Sequence, residues 1–165
     1  MSSTPTVRTA EPDDAAVFAA CHLECWREAY GELWGPERFA EMDVERMARR
    51  RRQEIEEGGA TNVLAEADGE VIAVAISGPS RDDDQPAPQE LYASYVRKAF
   101  QGTGVADKLL AATIDDGPAA LWVYRDNPRA SAFYVHHGFI PDGAERTDSE
   151  GIGEIRMVRK AAPVL

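Results

Sequence analysis

The sequence contains no hydrophobic run long enough to cross a membrane, and it contains little cysteine. A transmembrane helix needs about 18 or more consecutive apolar residues. No such run occurs among the 165 residues, so we expect neither a membrane span nor a membrane partner. The opening segment, Met-Ser-Ser-Thr-Pro, lacks the basic head and the apolar stretch of a secretory signal peptide. Both absences favour a cytoplasmic protein.

The two cysteines, Cys21 and Cys25, fall within one predicted helix. Cysteines at this helical spacing form a poor disulfide loop, and the spacing is not a usual one for zinc ligands. We therefore predict two buried thiols in a reducing compartment, and no metal site.

Positive charge is also in deficit, because 18 lysines and arginines face 29 aspartates and glutamates, for a net charge of −11. A protein this acidic repels phosphate at long range, which excludes a general nucleic-acid binder and favours a cationic or amine-bearing partner. The basic run Arg49–Arg52 has glutamates at helical spacing, in the pairs Glu45–Arg49, Arg50–Glu54 and Arg52–Glu56. These pairs predict a solvated, salt-bridged helix face and not a nucleic-acid surface.

Hydrophobic periodicity divides the chain into helices and strands. It predicts helices over Pro12–Tyr30, Val44–Glu57 and Gly104–Asp116, and a fourth from Asn127-Pro128 to Gly138. It predicts strands at Val7-Arg8, Val63–Ala67, Val71–Ile76, Glu90–Val96, Leu121–Tyr124, Phe139–Thr147 and Ile152–Val158. Gly31 and Gly35-Pro36 are expected to interrupt the chain after the first helix, Asp68-Gly69 to form a hairpin turn, and residues 79–89 to form an exposed loop. This order predicts a single α/β domain, residues 1–165, with a mixed sheet.

The segment from Tyr95 to Ala106 carries the clearest functional pattern, because a strand ends there, two glycines follow and a helix begins. Glycine permits positive φ and close approach, and the N–H groups of a first helical turn point toward one spot. Together they suit an anion such as phosphate. A P-loop is excluded because no Gly-Lys-Ser/Thr follows, and a dinucleotide fingerprint is excluded because Asp107 occupies a glycine or alanine position. A plain strand–turn–helix connection without a ligand is the alternative.

Two motifs resemble those of a known family. Gln101-x-x-Gly104-x-Ala106, after a strand, is similar to the pyrophosphate-binding signature of the GNAT superfamily of acyl-CoA-dependent N-acetyltransferases. Asn127-x-x-Ala130-x-x-Phe133-Tyr134-x-x-x-Gly138-Phe139 resembles the second motif of that family. The segments Arg8–Asp14 and Trp26-x-x-x-Tyr30-Gly31 also look like those of its members. The resemblance implies the GNAT fold, a mixed central sheet of about six to seven strands with helices on both faces.

The resemblance also implies an enzyme that transfers the acetyl group of acetyl-CoA to a primary amine, by direct attack in a ternary complex and without a metal. A non-catalytic acyl-CoA-binding or regulatory module of the same fold and a pure interaction protein are the alternatives. The acceptor stays open among a small amine, an antibiotic, a polyamine and a protein amine, and such domains often pair as homodimers. The residues expected to bind the cofactor are Tyr95, Val96, Gln101, Gly102, Thr103, Gly104, Val105, Ala106 and Asn127.

Two residues receive catalytic roles from this resemblance. Tyr134 is expected beside the coenzyme A sulfur as general acid. Reference pKa values near 10 for tyrosine and about 8.5 for a thiol favour a hydrogen bond to the thiolate over complete proton transfer. An ordinary packed aromatic is the alternative for Tyr134. Glu90 is the candidate base, and the alternative interpretation of Glu90 is an exposed acid at a strand edge without a catalytic role. Tyr92 and Glu24 are weaker candidates for the base. In many relatives a chain of water molecules leads the proton to solvent instead.

The acceptor site is assigned to aromatic residues. Trp26 and Tyr30, with Trp34, lie at the end of the helical region that caps the acceptor site in relatives, and Tyr92 is assigned to the same site. Aromatic rings on an acidic protein suit a cationic amine through cation–π contact. Core packing explains these rings equally well.

Several polar residues have an explanation that needs no catalytic role. Asn127, before Pro128, is a good helix N-cap, and the resemblance adds a cofactor contact to that role. His22, His136 and His137 match no recognised catalytic spacing with either cysteine. We expect the three histidines to be non-catalytic.

Overall fold

The computed structural model describes residues 4–160, as seven β-strands and four α-helices. The strands are β1 Thr6–Thr9, β2 Thr61–Ala67, β3 Glu70–Pro79, β4 Gln89–Val96, β5 Ala119–Tyr124, β6 Ile140–Thr147 and β7 Gly153–Arg159. The helices are α1 Ala15–Ala40, α2 Val44–Glu57, α3 Val105–Thr113 and α4 Pro128–His136, with 3₁₀ turns at Pro12–Asp14 and Lys98–Phe100. The described part excludes residues 1–3 and residues 161–165 of the predicted domain. Residues 1–3 belong to the opening segment that lacks the features of a signal peptide.

The strands form one mixed sheet in the order β1-β2-β3-β4-β5-β7-β6. β4 and β5 pair in parallel, whereas β1 with β2, β5 with β7 and β6 with β7 pair antiparallel. The predicted α/β class and mixed sheet are confirmed. The chain divides into two compact units: the first holds the described residues up to Ile76 with Ala93–Thr113, and the second holds Ser77–Tyr92 with the described residues from Ile114. The single domain over residues 1–165 stays a prediction.

The first unit has a core of small and branched side chains from β2, β3 and α3. Alternate residues of β2 enter it, because successive side chains of a strand point to opposite faces. Val105 and Leu109 lie four residues apart on one face of α3, so burying them holds the start of that helix in the core. The buried cluster consists of Val63, Ala65, Ala67, Ile72, Ala73, Ala75, Val105 and Leu109.

α1 is longer than its sequence pattern predicts. The predicted end before Gly31 is wrong, because the helix continues past that residue. The predicted interruption at Gly35 is confirmed, because the backbone there departs from helical geometry, with φ of 73°, before helical residues resume and end at Ala40. The ring of Trp34 lies 4.7 Å from that of Tyr30 and 5.5 Å from that of Phe39, centroid to centroid. These contacts outweigh the roughly 1 kcal/mol that a glycine costs inside a helix.

α2 confirms that the basic run is a salt-bridged helix face. Arg50 Nε lies 3.0 Å from a carboxylate oxygen of Glu54, and Arg52 Nε lies 3.1 Å from one of Glu56. Both are pairs that the spacing predicts. Arg51 differs, because its side chain is largely buried, bonds to Glu54 and packs over an aromatic ring of α1.

The second unit is organised around the buried arginine of β7. Arg156 Nε donates to Asp142 at 2.7 Å, and its two terminal nitrogens donate to the two carboxylate oxygens of Asp84 at 2.7 Å. One of them also contacts Asp82 at 3.3 Å. Residues 79–89 are predicted to form an exposed loop, but the bond to Arg156 ties Asp82 to β7 and leaves its side chain only 14% exposed. Ala87 is buried as well, whereas Asp84 is exposed although it bonds to Arg156, so the loop is exposed only in part.

Two further elements end three residues away from their predicted ends. α3 ends at Thr113 and not at Asp116, because a turn follows in which the Asp115 carboxylate accepts the N–H of Gly117 at 2.8 Å. β3 runs beyond the predicted Ile76 to Pro79.

Candidate functional site

The predicted anion-binding turn lies between β4 and α3, in the first unit. Gly102 and Gly104 have φ angles of 80° and 87°, a conformation that glycine adopts without the steric cost other residues incur. A Cβ at either glycine would meet no described atom within 4 Å. Backbone conformation, and not crowding, therefore requires glycine here. The four residues Gln101–Gly104 are all exposed, so the turn is open to a ligand.

Short-range bonds hold this turn in place. Gln101 Nε2 donates to the Val96 carbonyl oxygen at 3.2 Å, and the Thr103 hydroxyl donates to the Phe100 carbonyl oxygen. Val105 is buried in the core, so the first residue of α3 is anchored directly after the exposed turn. The N–H groups of a first helical turn have no carbonyl partner within the helix, and the helix dipole places partial positive charge there. The turn has the conformation and the donors that an anion needs.

Next to the end of β4 lies an aromatic cluster, which we define as Trp26, Tyr30, Trp34, Tyr95 and His22. The hydroxyl oxygens of Tyr30 and Tyr95 are hydrogen-bonded at 3.2 Å. The rings of Trp26 and Tyr95 lie 6.4 Å apart, and those of Trp26 and Trp34 lie 5.5 Å apart, centroid to centroid. The structure therefore brings two predicted acceptor residues, Trp26 and Tyr30, against Tyr95, a predicted cofactor residue.

His22 is the buried member of the aromatic cluster, with 6% of its surface exposed. Its ring lies 4.1 Å from Trp26 and 5.3 Å from Tyr95, centroid to centroid, and no described residue forms a hydrogen bond with its Nε2. Burial, and to a smaller extent the positive charge of Arg51, lowers the pKa of His22 to about 3. The ring is therefore neutral near pH 7, and its non-catalytic assignment stays a prediction.

The two thiols of α1 are buried and free of any disulfide, as predicted. A hydrogen bond between Cys21 and Cys25, together with burial, raises the pKa of Cys25. A thiol with a raised pKa carries little of the nucleophilic thiolate. The structure thus gives Cys25 no feature of a reactive cysteine.

In the second unit, α4 begins after Asn127 and carries Tyr134. The Asn127 side chain accepts a backbone N–H of the first turn at 3.2 Å, and Pro128 is the first helical residue, which confirms the predicted N-cap. Tyr134 is 9% exposed, and its ring lies 5.3 Å from that of Phe133 and 5.9 Å from that of Phe139, centroid to centroid. The ring of Tyr134 therefore packs between two aromatic neighbours. Its role as an acid and the cofactor contact of Asn127 stay predictions.

Glu90 is buried on β4, with 1% of its surface exposed. Its interpretation as an exposed acid at a strand edge is wrong, because β4 is an inner strand of the sheet. One carboxylate oxygen accepts the backbone N–H of Arg81 at 2.9 Å, and the other accepts two bonds from the Arg81 guanidinium at 2.7 and 3.1 Å. The Glu90 carboxylate is therefore hydrogen-bonded to the Arg81 guanidinium. The assignment of Glu90 as the base stays a prediction.

Tyr92 lies beside the same arginine. The Arg81 guanidinium carbon lies 3.8 Å from the centroid of the Tyr92 ring, and the Tyr92 hydroxyl donates to the Pro79 carbonyl oxygen. A Cβ at Gly78 would lie 2.5 Å from that hydroxyl oxygen, so the glycine allows the ring to lie against β3. Burial raises the pKa of Tyr92, which makes it a poor base. Glu90 and Tyr92 are thus brought together around Arg81.

Sequence reasoning missed two residues of these clusters. Arg81 stands in Ser-Arg-Asp-Asp-Asp, where the adjacent acids are its obvious partners, and nothing local indicates Glu90. His22 did carry a usable signal, because helical spacing places it on the same stripe as Trp26.

Arginines bind several carboxylates of the second unit, among them those of Asp82, Asp84 and Glu90. Within residues 4–160, no group of three or more histidine, cysteine, aspartate or glutamate side chains is placed to hold a metal ion. None of the four helices described above combines the length and the apolar character that a bilayer crossing requires.

Comparison with protein families gives one match that spans most of the chain. The family described as an acetyltransferase (GNAT) domain matches residues 23–161. This range includes the glycine turn and all of α4. Comparison with curated protein sequences gives no match.

Solved structures share the fold at low sequence identity. The PaiA N-acetyltransferase of Thermoplasma acidophilum, in complex with coenzyme A, is 16% identical, with a TM-score of 0.72 over 96% of this chain and 99% of that one. YncA of Salmonella typhimurium, with its cofactor acetyl-CoA, is 18% identical, with a TM-score of 0.71 over 99% and 97%. The histone acetyltransferase HPA2 and related acetyltransferase of Corynebacterium glutamicum is 23% identical, with a TM-score of 0.70 over 99% and 100%.

Proposed function

This chain belongs to the GNAT family of acetyltransferases, and from that premise we propose that it transfers the acetyl group of acetyl-CoA to a primary amine by direct attack in a ternary complex. The observation that carries the proposal is the glycine turn. Its two glycines have positive φ, its surface is exposed, and it leads into a helix whose first residue is buried in the core. The backbone conformation supports an anion site, and the sequence motif supports a pyrophosphate as the anion.

The turn fits the diphosphate of acetyl-CoA. Main-chain N–H groups on a left-handed glycine turn and at a helix start donate to phosphate oxygens at short range, where the net charge of the protein is screened. We assign to this contact residues 101–106, with the main chain of Tyr95 and Val96 and the side chain of Asn127 as further cofactor contacts. When bound, acetyl-CoA supplies an activated acetyl thioester. PaiA and YncA, whose structures contain coenzyme A and acetyl-CoA, support this assignment by their shared fold.

The remaining residues manage protons and the acceptor. An alkyl ammonium with a pKa near 10.4 is neutral only about once in 10³ molecules at pH 7, so a proton must leave before the amine attacks. We assign its removal to Glu90 and the hydrogen bond to the leaving thiolate to Tyr134. The Tyr134 ring packs against the rings of Phe133 and Phe139, and a side chain held by such neighbours suits that role. Trp26, Tyr30 and Tyr92 are assigned to the acceptor.

The proposal is tested by calorimetry with acetyl-CoA and by mass spectrometry of a panel of amines incubated with enzyme and acetyl-CoA. We expect saturable binding and acetylated product. In Gly104→Ala, the backbone at φ 87° is strained and the turn shifts, so acetyl-CoA affinity should fall about tenfold, or about 1.4 kcal/mol.

The matched control is Gly58→Ala, which replaces a glycine with φ of 74° at the end of α2 and likewise meets nothing within 4 Å. It carries similar strain outside the turn, so its affinity should equal that of the wild type. An equal loss in both variants, or no heat with the wild type, contradicts the cofactor assignment. Binding without any acetylated product supports a non-catalytic acyl-CoA-binding module instead.

A further inference from the structure

The buried carboxylate of Glu90 has a counter-ion that is itself exposed. Glu90 is 1% exposed, whereas the side chain of Arg81, which neutralises it, is 55% exposed. In the same unit, the guanidinium of Arg156 is only 9% exposed among its carboxylates. The attraction within a buried ion pair offsets the cost of desolvation only when the geometry is good and the remaining hydrogen bonds are made. The Arg81 guanidinium is therefore the more accessible of the two, and the more easily displaced.

The surroundings of the Arg81 guanidinium have the chemistry of a cation-binding site. Two bonds reach the Glu90 carboxylate at 2.7 and 3.1 Å, and the face of the Tyr92 ring lies 3.8 Å from the guanidinium carbon. A carboxylate and an aromatic face are the two groups that recognise an organic cation. The hydroxyl of Tyr92 is held by Pro79 and its ring fits against Gly78, so this wall does not depend on Arg81.

When the Arg81 guanidinium is displaced, the Glu90 carboxylate keeps one hydrogen-bond donor. The backbone N–H of Arg81 bonds to the other Glu90 oxygen at 2.9 Å. This bond keeps one oxygen satisfied while the side chain swings into solvent. The oxygen that the guanidinium releases then faces whichever cation replaces it.

We propose that Glu90 and Tyr92 form the binding site for the cationic head of the acceptor, and that Arg81 occupies this site as an internal competitor which the acceptor displaces. The identification of the bound cation as the acetyl acceptor rests on the proposed function, whereas the cation site itself does not. The substrate class is then a primary ammonium or a guanidinium-bearing molecule. Once an ammonium replaces Arg81, one of its N–H protons can pass to the freed Glu90 oxygen, leaving a neutral amine and a carboxylic acid.

The test is binding of small cations to the full-length Arg81→Ala protein without acetyl-CoA. The probes are ethylguanidinium and n-propylammonium, with ethylurea as the neutral isostere and sodium chloride to match ionic strength. We expect millimolar ethylguanidinium or n-propylammonium to raise the unfolding midpoint of Arg81→Ala by about 3 °C, in a saturable manner, because the ligand binds only the folded state. Ethylurea should give no rise, and the wild type should respond weakly because Arg81 competes.

Two further variants make the outcome decisive. In Arg81→Ala with Glu90→Gln the rise should disappear, because the carboxylate is gone. Arg125→Ala removes an equally exposed arginine that pairs with the exposed Glu145, and it should gain no response to either cation. If Arg81→Ala fails to fold, Arg81→Gln replaces it as a neutral residue of similar reach.

The inference is overturned if neither cation stabilises the Arg81 variant, if ethylurea works as well, or if the Glu90→Gln double variant still responds. Because acetyl-CoA is absent from the experiment, these outcomes are independent of the catalytic proposal. A cation response in a protein that does not bind acetyl-CoA leaves the cation site standing and removes only its identification with an acetyl acceptor.

Discussion

The two units treat their buried ionisable groups in opposite ways. The second unit keeps them charged and pairs them, as Glu90 with Arg81 and as Arg156 with three aspartates. The first unit keeps His22 and Cys25 uncharged and places most of its arginine run on the exposed face of α2. Both solutions avoid an isolated buried charge, which is the costliest arrangement in a protein interior.

The difference shows where each unit is vulnerable. Removing one partner of a buried ion pair leaves the other charge uncompensated, so the stability of the second unit depends on single side chains. A buried neutral base is challenged by acid, so the first unit has a weakness set by pH. Exposed pairs have little effect in either case.

The largest effect is expected for Arg156→Ala. It leaves the carboxylates of Asp82 and Asp142, whose side chains are 14% and 23% exposed, without their cation. We expect the free energy of unfolding to fall by about 3 kcal/mol, measured by denaturant titration. The guanidinium carbons of Arg146 and Arg156 both lie over the Trp122 ring, 4.1 and 5.6 Å from its centroid. The control is therefore Arg146→Ala, whose side chain is 43% exposed and whose removal should cost less than about 1 kcal/mol. Equal losses would mean that burial does not distinguish the two arginines.

The next effect is the acid sensitivity that His22 confers. The folded protein holds the pKa of His22 at about 3, below its ordinary 6.5, so between these values the unfolded chain binds a proton that the folded one excludes. Stability is therefore full above pH 6.5 and falls by about 1.4 kcal/mol for each pH unit below it. In His22→Leu this part of the pH dependence should vanish, as measured by denaturant titrations from pH 7 to pH 5.

The control for that experiment is Cys25→Ala, a neutral change at a buried position of the same helix. It should lower the stability by the same amount at every pH in this range. A wild-type slope retained in His22→Leu would show that other groups cause the acid sensitivity.

The smallest effect is expected for Arg52→Ala. Its side chain is 51% exposed, and its pairs with Glu56 and Asp13 lie in solvent. We expect a change within about 0.5 kcal/mol. Arg51→Ala, next to it but with a side chain only 15% exposed, should cost more because its bonds to Glu54 and Asn62 are partly shielded. Equal effects would show that exposure does not rank charges along α2.

Elements stabilised by neighbouring residues were predictable. α2 has the predicted bounds because Asp43 caps it, Gly58 ends it and its ion pairs are local. The Asp68-Gly69 turn also forms as predicted, with φ angles of 53° and 80°. The end of α1 was not predictable from Gly31, because packing around Trp34 extends the helix past it.

The candidate sites divide in the same manner. The glycine turn could be predicted from the sequence, because the positive φ angles that it requires are supplied by two glycines close together in the chain. The environment of Glu90 was not, because its burial comes from neighbouring strands and its partner, Arg81, sits in a loop rich in nearer acids. The same holds for Arg156, whose contact with Asp82 joins residues 74 positions apart.

The amino-acid sequence by itself determined the order of helices and strands, the glycine turn and the motifs of an acetyltransferase, because these depend on residues close together in the chain. Only the tertiary structure decided which charges are buried, which are paired and which stay neutral. Burial and long-range pairing arise when distant segments exclude water together, and no local pattern contains that information.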